Sequence, residues 1–224
     1  MADYALQPQP ASPTVTNSRA RHAEGAIWAL LLLVAVGPFL LDSGGPDARL
    51  AGDGNLLRQA LYPALLVYLA VTQGVLSEPH RLKVLPRGLL LLLALCLTSV
   101  LWAIDPSIAL RRFALMAIVV LTVFLAVSGA GTSRTLAALR YGLALILVLN
   151  YLTVIASPVG VHGLGGPEPA LVGNWRGLMI HKNTAAIACA FTILIWLFTT
   201  KGWLLRWPVI VGAAYFLLQT QSKT

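Results

Sequence analysis

The run Ser107–Gly129, SIALRRFALMAIVVLTVFLAVSG, decides the fold. Beyond Arg111 and Arg112 it carries no charge, and the next ionisable side chain is Arg134. Roughly 20 apolar residues in a helix are needed to cross about 30 Å of hydrocarbon, so the run predicts a transmembrane helix over 107–129. Six more runs with few or no charges read the same way, at approximately 25–41, 57–76, 87–104, 138–157, 184–200 and 203–220. The expected fold class is all-α, a polytopic integral membrane bundle of about seven transmembrane helices. Pro38, Pro63 and Pro208 lie in or near these helices; a proline there is tolerated where neighbours re-satisfy the carbonyls it frees.

Composition points the same way. The chain is 58% apolar and 11% charged, whereas soluble domains run nearer a quarter charged, so an ordinary soluble domain is excluded. The formal charge of +8 would suggest nucleic acid in a polar chain. Here the charges sit between apolar runs and report membrane topology, with no nucleic-acid partner implied. Cys96 and Cys189 are each embedded in an apolar run, which offers neither a disulfide framework nor a zinc pair.

Residues 1–24, with Gln7-Pro8-Gln9-Pro10-Ala11-Ser12-Pro13, are expected to form a disordered cytoplasmic tail, leaving 25–224 as the bundle. The run 25–41 is preceded by a long polar stretch and followed by Leu41-Asp42-Ser43, which lacks a small-x-small cleavage site. It reads as an uncleaved first helix. With the N-terminus cytoplasmic, that side collects Arg19, Arg21, Arg81, Lys83, Arg87, Arg134, Arg140, Lys201 and Arg206. The other side holds Arg49, Arg58, Arg111, Arg112, Arg176, Lys182 and Lys223, with Asp42, Asp47, Asp53, Asp105 and Glu168. The excess of cations favours this orientation by a small margin.

Two loops on the outer side gather cations. In the first, Asp105 suits an N-cap and Pro106 the first helical position. Arg111 and Arg112 then fall one to two turns inside the next helix, either snorkelling to the interface or facing a polar cavity. The second loop runs from Pro158 to Asn183. Gly160, Gly163, Gly165, Gly166, Pro167 and Gly173 break regular structure there, and Asn174-Trp175-Arg176-Gly177-Leu178-Met179-Ile180-His181-Lys182-Asn183 follows. Asn183 or Thr184 is expected to cap the sixth helix. Its unpaired N–H groups, with Arg176 and Lys182, make an anion site for which phosphate is the natural ligand. Taken singly, Trp175 reads as an interfacial anchor, Lys182 as a snorkeller and His181 as a loop histidine.

Trp175-Arg176-Gly177 followed by His181-Lys182-Asn183 resembles the motif of the O-antigen ligase, O-antigen polymerase and exopolysaccharide polymerase family. Ser99-Val100-Leu101-Trp102-Ala103-Ile104-Asp105-Pro106 with Leu110-Arg111-Arg112 resembles a segment of its exopolysaccharide-production branch, with Ala103 where serine is common. Gln221-Ser222-Lys223-Thr224 is similar to that branch too, so the resemblance covers about residues 99 to 224. It implies the N-terminal half of a GT-C-type glycosyltransferase in the bacterial inner membrane. Such an enzyme moves a glycan, with inversion, from an undecaprenyl-diphosphate carrier to an acceptor glycan at the periplasmic face, without metal or cofactor. Family members carry a large catalytic periplasmic loop in their second half, so the resemblance implies a fragment or truncated frame here. Within that reading Arg176 contacts the lipid diphosphate, and Lys182, His181, Asn183 and Arg112 are the neighbouring candidates.

Fixed cations near the departing diphosphate stabilise developing negative charge. The acceptor hydroxyl also needs a base. His181 and His162 are the outer-side histidines, but neither has an identifiable carboxylate partner. His162, Glu168 and His181 match no usual metal-ligand spacing. The competing reading is a non-catalytic membrane protein, an inactive remnant or a transporter-like component. A transporter more often shows related helix breaks in its two halves; here Asn150 is the most obvious polar residue inside a span and reads as helix–helix glue.

Overall fold

The computed structural model describes residues 13–41, 56–75, 77–78, 85–163, 171–179, 181–199 and 202–221. Within them the chain is all-helical, with one isolated antiparallel bridge, Val161 to Trp175. The helices are α1 (Pro13–Leu41), α2 (Leu56–Thr72), α3 (Arg87–Thr98), α4 (Pro106–Ala130), α5 (Thr132–Ala156), α6 (Lys182–Thr199) and α7 (Trp203–Thr220). Short 3-10 turns follow α3 (Ser99–Trp102) and α5 (Pro158–Gly160).

Local chemistry sets the helix ends. At α4, Asp105 Oδ1 accepts the N–H groups of Ser107 and Ile108 at 3.1 and 3.2 Å and the Ser107 hydroxyl at 2.8 Å, with Pro106 at the first helical position. This is the start the sequence predicts. The Thr98 and Ser99 hydroxyls fold back onto the carbonyls of Leu95 and Cys96 at 2.8 and 2.7 Å. Such back-bonding competes with the α-helical ladder, and α3 gives way to the 3-10 turn after Thr98, short of the expected end at 104. A single residue, Gly131 at φ +77°, separates α4 from α5.

The largest departure from the sequence reading is at α1. Residues 13–24, read as disordered tail, are helical; residues 1–12 lie outside the described residues. Their polar groups find partners at the bundle end: Gln73 Nε2 donates to Arg19 O at 2.9 Å, Arg134 Nη2 donates to Asn17 Oδ1 at 2.7 Å, and Arg134 lies 3.7 Å from Glu24. Composition shows polarity, whereas folding depends on whether that polarity is satisfied. The same contacts carry α5 back to Thr132, ahead of the expected 138.

Three helices, Pro106–Ala130, Thr132–Ala156 and Lys182–Thr199, are long and apolar enough to cross a membrane, and Gln59–Thr72 and Arg87–Trp102 are shorter apolar helices. The protein is thus an all-helical, membrane-associated chain.

Packing is close where side chains are small. Ala23, Ala26, Leu69, Ala126 and Ala138 form one buried cluster between α1, α2, α4 and α5. Ile146, Ala185, Cys189, Ala213 and Phe216 form a second between α5, α6 and α7. Without water to drive association inside a bilayer, dispersion between closely approaching backbones does the work, which favours such small residues. Leu31 of α1 packs on both clusters and ties them together.

The contacts also order the ends. The start of α1 meets Gln73 beyond α2 and Arg134 in α5. At the opposite end, Lys182 at the start of α6 meets Gln221 beyond α7. Successive helices therefore run up and down, and the Asp105 turn and the 158–181 loop share the end away from the start of α1.

Candidate functional site

The loop joining α5 to α6 is held by backbone bonds on both sides. His162 N donates to Asn174 O and Gly173 N to His162 O, each at 3.0 Å, around the Val161–Trp175 bridge. Gly160 O accepts both Arg176 N and Gly177 N at 2.9 Å, and Trp175 N donates to Gln219 O on α7 at 3.1 Å. Trp175 is no peripheral anchor. Its ring stacks edge-on with Tyr151, Tyr215 and Phe216 at centroid distances of 6.0, 5.9 and 5.4 Å. Tyr151 is fixed in turn by its hydroxyl, which donates to Gly212 O at 2.8 Å.

Beneath the loop sits Asn150, 1% exposed on α5. Its Oδ1 accepts Leu178 N at 2.9 Å. The residue read as helix–helix glue therefore joins a helix to the motif loop. Gly177 lies against it at φ +59°, and a Cβ placed there would approach Asn150 Cβ and Cγ to 2.7 Å. Glycine follows Arg176 because the left-handed backbone and the buried amide leave no room for a side chain.

Above this floor Arg176 is half-buried, and its Nε donates to Val159 O at 2.7 Å, which fixes the plane of the guanidinium. His181, rather than the expected Asn183 or Thr184, caps α6. Its Nδ1 accepts Asn183 N at 3.2 Å and its carbonyl accepts the N–H groups of Thr184 and Ala185 at 3.1 and 3.3 Å. That bond requires the tautomer protonated at Nε2. An imidazole reaches the N–H two residues on as an Asx carboxamide does. Lys182 Nζ donates to Gln221 O at 3.2 Å and places a cation on the carbonyl end of α7. The positive end of α6 and the negative end of α7 are thereby neighbours, which offsets part of the α6 field.

The structure thus sets His181, Lys182 and Asn183 at one helix start, with Arg176 in the loop that leads into it. It does not bring Arg112 to them: α4 packs against α1, α2, α3 and α5 and makes no contact with α6 or α7. Arg112 is exposed on α4, at the same end of the bundle but on another flank. His162, distant from His181 in sequence, comes close in space, with ring centroids 5.7 Å apart. Glu168 lies outside the described residues. Among the described residues no group of three or more His, Cys, Asp or Glu could hold a metal.

Sequence reasoning missed Asn150, Gly160 and Tyr151 as supports of the loop. A polar residue inside a charge-free span was the signal for Asn150; the other two act through a carbonyl and a packed ring, which leave no pattern in a sequence. It also missed an apolar cavity of about 370 Å³ opening between α1, α5 and α6. Met179 and Thr184 line its upper end, directly below the loop, and Leu31, Val34, Ile146 and Phe191 line its walls.

No protein-family model, curated protein or solved structure matches the chain.

Proposed function

We propose that the chain is a membrane glycosyltransferase-family protein acting on undecaprenyl-diphosphate-linked glycan, with Arg176 and the start of α6 forming part of its donor diphosphate site. The observation that carries this reading is one juxtaposition. A fixed guanidinium and a helix N-terminus belong to one loop and the helix it leads into, Met179 and Thr184 of that same loop and first turn line an apolar cavity, and a lipid diphosphate presents the matching anion and hydrocarbon. The resemblance of Trp175-Arg176-Gly177 and His181-Lys182-Asn183 to the ligase and polymerase family supports the same assignment. In this proposal all seven helices cross the bacterial inner membrane as a GT-C-like half, the N-terminus is cytoplasmic and the α5–α6 loop faces the periplasm.

In the transfer, an acceptor sugar hydroxyl forms a bond to the anomeric carbon as the bond from that carbon to the diphosphate oxygen breaks, with inversion. The electron pair of the broken bond stays on the diphosphate, and the hydroxyl proton passes to a base. Arg176 holds the growing negative charge, an electrostatic role that strengthens as water is excluded. The Val159 contact keeps the guanidinium oriented, while Asn150 and Gly177 fix the loop that carries it.

Binding of undecaprenyl diphosphate to the purified chain in detergent, followed by native mass spectrometry, tests the reading. Wild type should bind saturably, and Arg176→Ala should bind at least about tenfold more weakly, equivalent to about 1.4 kcal/mol. No binding by wild type, or equal binding by the variant, would remove Arg176 from the proposed site.

A further inference from the structure

The other end of the bundle holds cations that the donor site does not use. Trp196 of α6 is 3% exposed, and its Nε1 donates to the carbonyl of Arg140 on α5 at 3.1 Å. The Arg140 guanidinium lies 4.5 Å from the Tyr141 ring centroid and 5.8 Å from that of Trp196. On α7, the Arg206 guanidinium lies 5.7 Å from the Trp207 ring centroid, and Trp207 stacks edge-on with Trp203 at 5.6 Å.

These groups share one depth. Lys182 and Gln221 meet at the loop end. Trp196 lies 14 residues along α6 from Lys182, about 21 Å at 1.5 Å per residue. Arg206 lies 15 residues back along α7 from Gln221, about 22 Å. Arg140 joins that level through its bond to Trp196.

Both arginines have an unmet donor. Nε of Arg140 and Nε of Arg206 are each buried without a hydrogen-bond partner among the described residues. Arg140 Nη2 does have one, the Tyr141 hydroxyl at 2.7 Å. A buried N–H with no acceptor is costly and calls for an explanation. The acids described at this end, Glu24 and Glu78, lie beside Arg134 and Arg19, and among the described residues no ion pair reaches Arg140 or Arg206. Asp105 begins α4 at the far end, and Glu168 lies outside the described residues.

We infer that Arg140 and Arg206 take the phosphate of an anionic phospholipid from the leaflet at the α1 N-terminal end. A lipid phosphate supplies acceptor oxygens and negative charge together, and arginine can bind it in a fork. The surrounding indoles suit the headgroup level, where tryptophan concentrates, and basic pockets between helices recognise anionic headgroups in this way. Neither residue belongs to the α5–α6 loop, so the inference stands independently of the donor-site reading.

The test uses the full chain, purified in mild detergent and stripped of lipid, with phosphatidylglycerol, phosphatidylcholine or inorganic phosphate added. Native mass spectrometry should show saturable retention of phosphatidylglycerol, weakened at least tenfold in the Arg140→Gln/Arg206→Gln double variant. Equal retention by wild type and double variant would overturn the site. Tryptophan emission of wild type alone gives a second readout that does not depend on the variant folding. It should respond saturably to phosphatidylglycerol only. An equal response to phosphatidylcholine would overturn the anionic headgroup, and saturation by millimolar inorganic phosphate would overturn the lipid.

Discussion

Gly177 carries the tightest backbone constraint in the motif loop. Its φ of +59° costs other residues about 1–2 kcal/mol, and a Cβ would also press into buried Asn150. Gly177→Ala should therefore destabilise the chain by at least about 2 kcal/mol, seen as a lower thermal midpoint in detergent; an unchanged midpoint would contradict the packing described. At the other motif position, Asp105 titrates below its ordinary value of 3.8, chiefly because the Ser107 hydroxyl and then the Ile108 N–H donate to its carboxylate. A lowered folded-state pKa means that its contribution is present above 3.8 and is lost as pH falls through the lowered value. Carboxyl NMR should place the titration below 3.8; a midpoint at or above 3.8 would show that the cap bonds are absent in solution. Asp105 was legible from the sequence because cap chemistry is local. The pairing of Asn150 with Leu178 was not, since 28 residues separate them and only the fold brings them together.

At the scale of elements, the charge-free runs located the seven helices of the described residues, and α6 and α7 fall within two residues of their expected limits. Polar helical segments were the ones misread. The first turns of α1 bear Arg19, Arg21, His22 and Glu24, and these read as tail because nothing local shows that Glu24, Arg19 and Asn17 meet Arg134, Gln73 and Glu78. The cap of α6 was assigned to Asn183 or Thr184 by residue preference, whereas geometry gives it to His181. His181→Ala should loosen the first turn of α6 by about 1 kcal/mol, read as faster amide exchange at Asn183 and Thr184, while His181→Asn retains an acceptor and slow exchange. Equal exchange in wild type and His181→Ala would show that the imidazole is no cap.

Over the whole molecule, alternating helix directions separate two polar ends. One holds the Glu24–Arg134 and Arg19–Glu78 pairs, and the other holds Arg176, His181 and Lys182 around α6. The resemblance of Leu110-Arg111-Arg112 to a family segment placed Arg112 with the second group; the packing of α4 puts it on a separate flank. The donor-site proposal requires the α6 end to face the periplasm, where the glycan carrier presents its cargo. An impermeant maleimide applied to intact cells tests this directly, using a single cysteine at the exposed position Val172 with Cys96 and Cys189 replaced by alanine. Labelling from outside without lysis is the expected result, and protection until the membrane is broken would place the loop in the cytoplasm and contradict the proposed function.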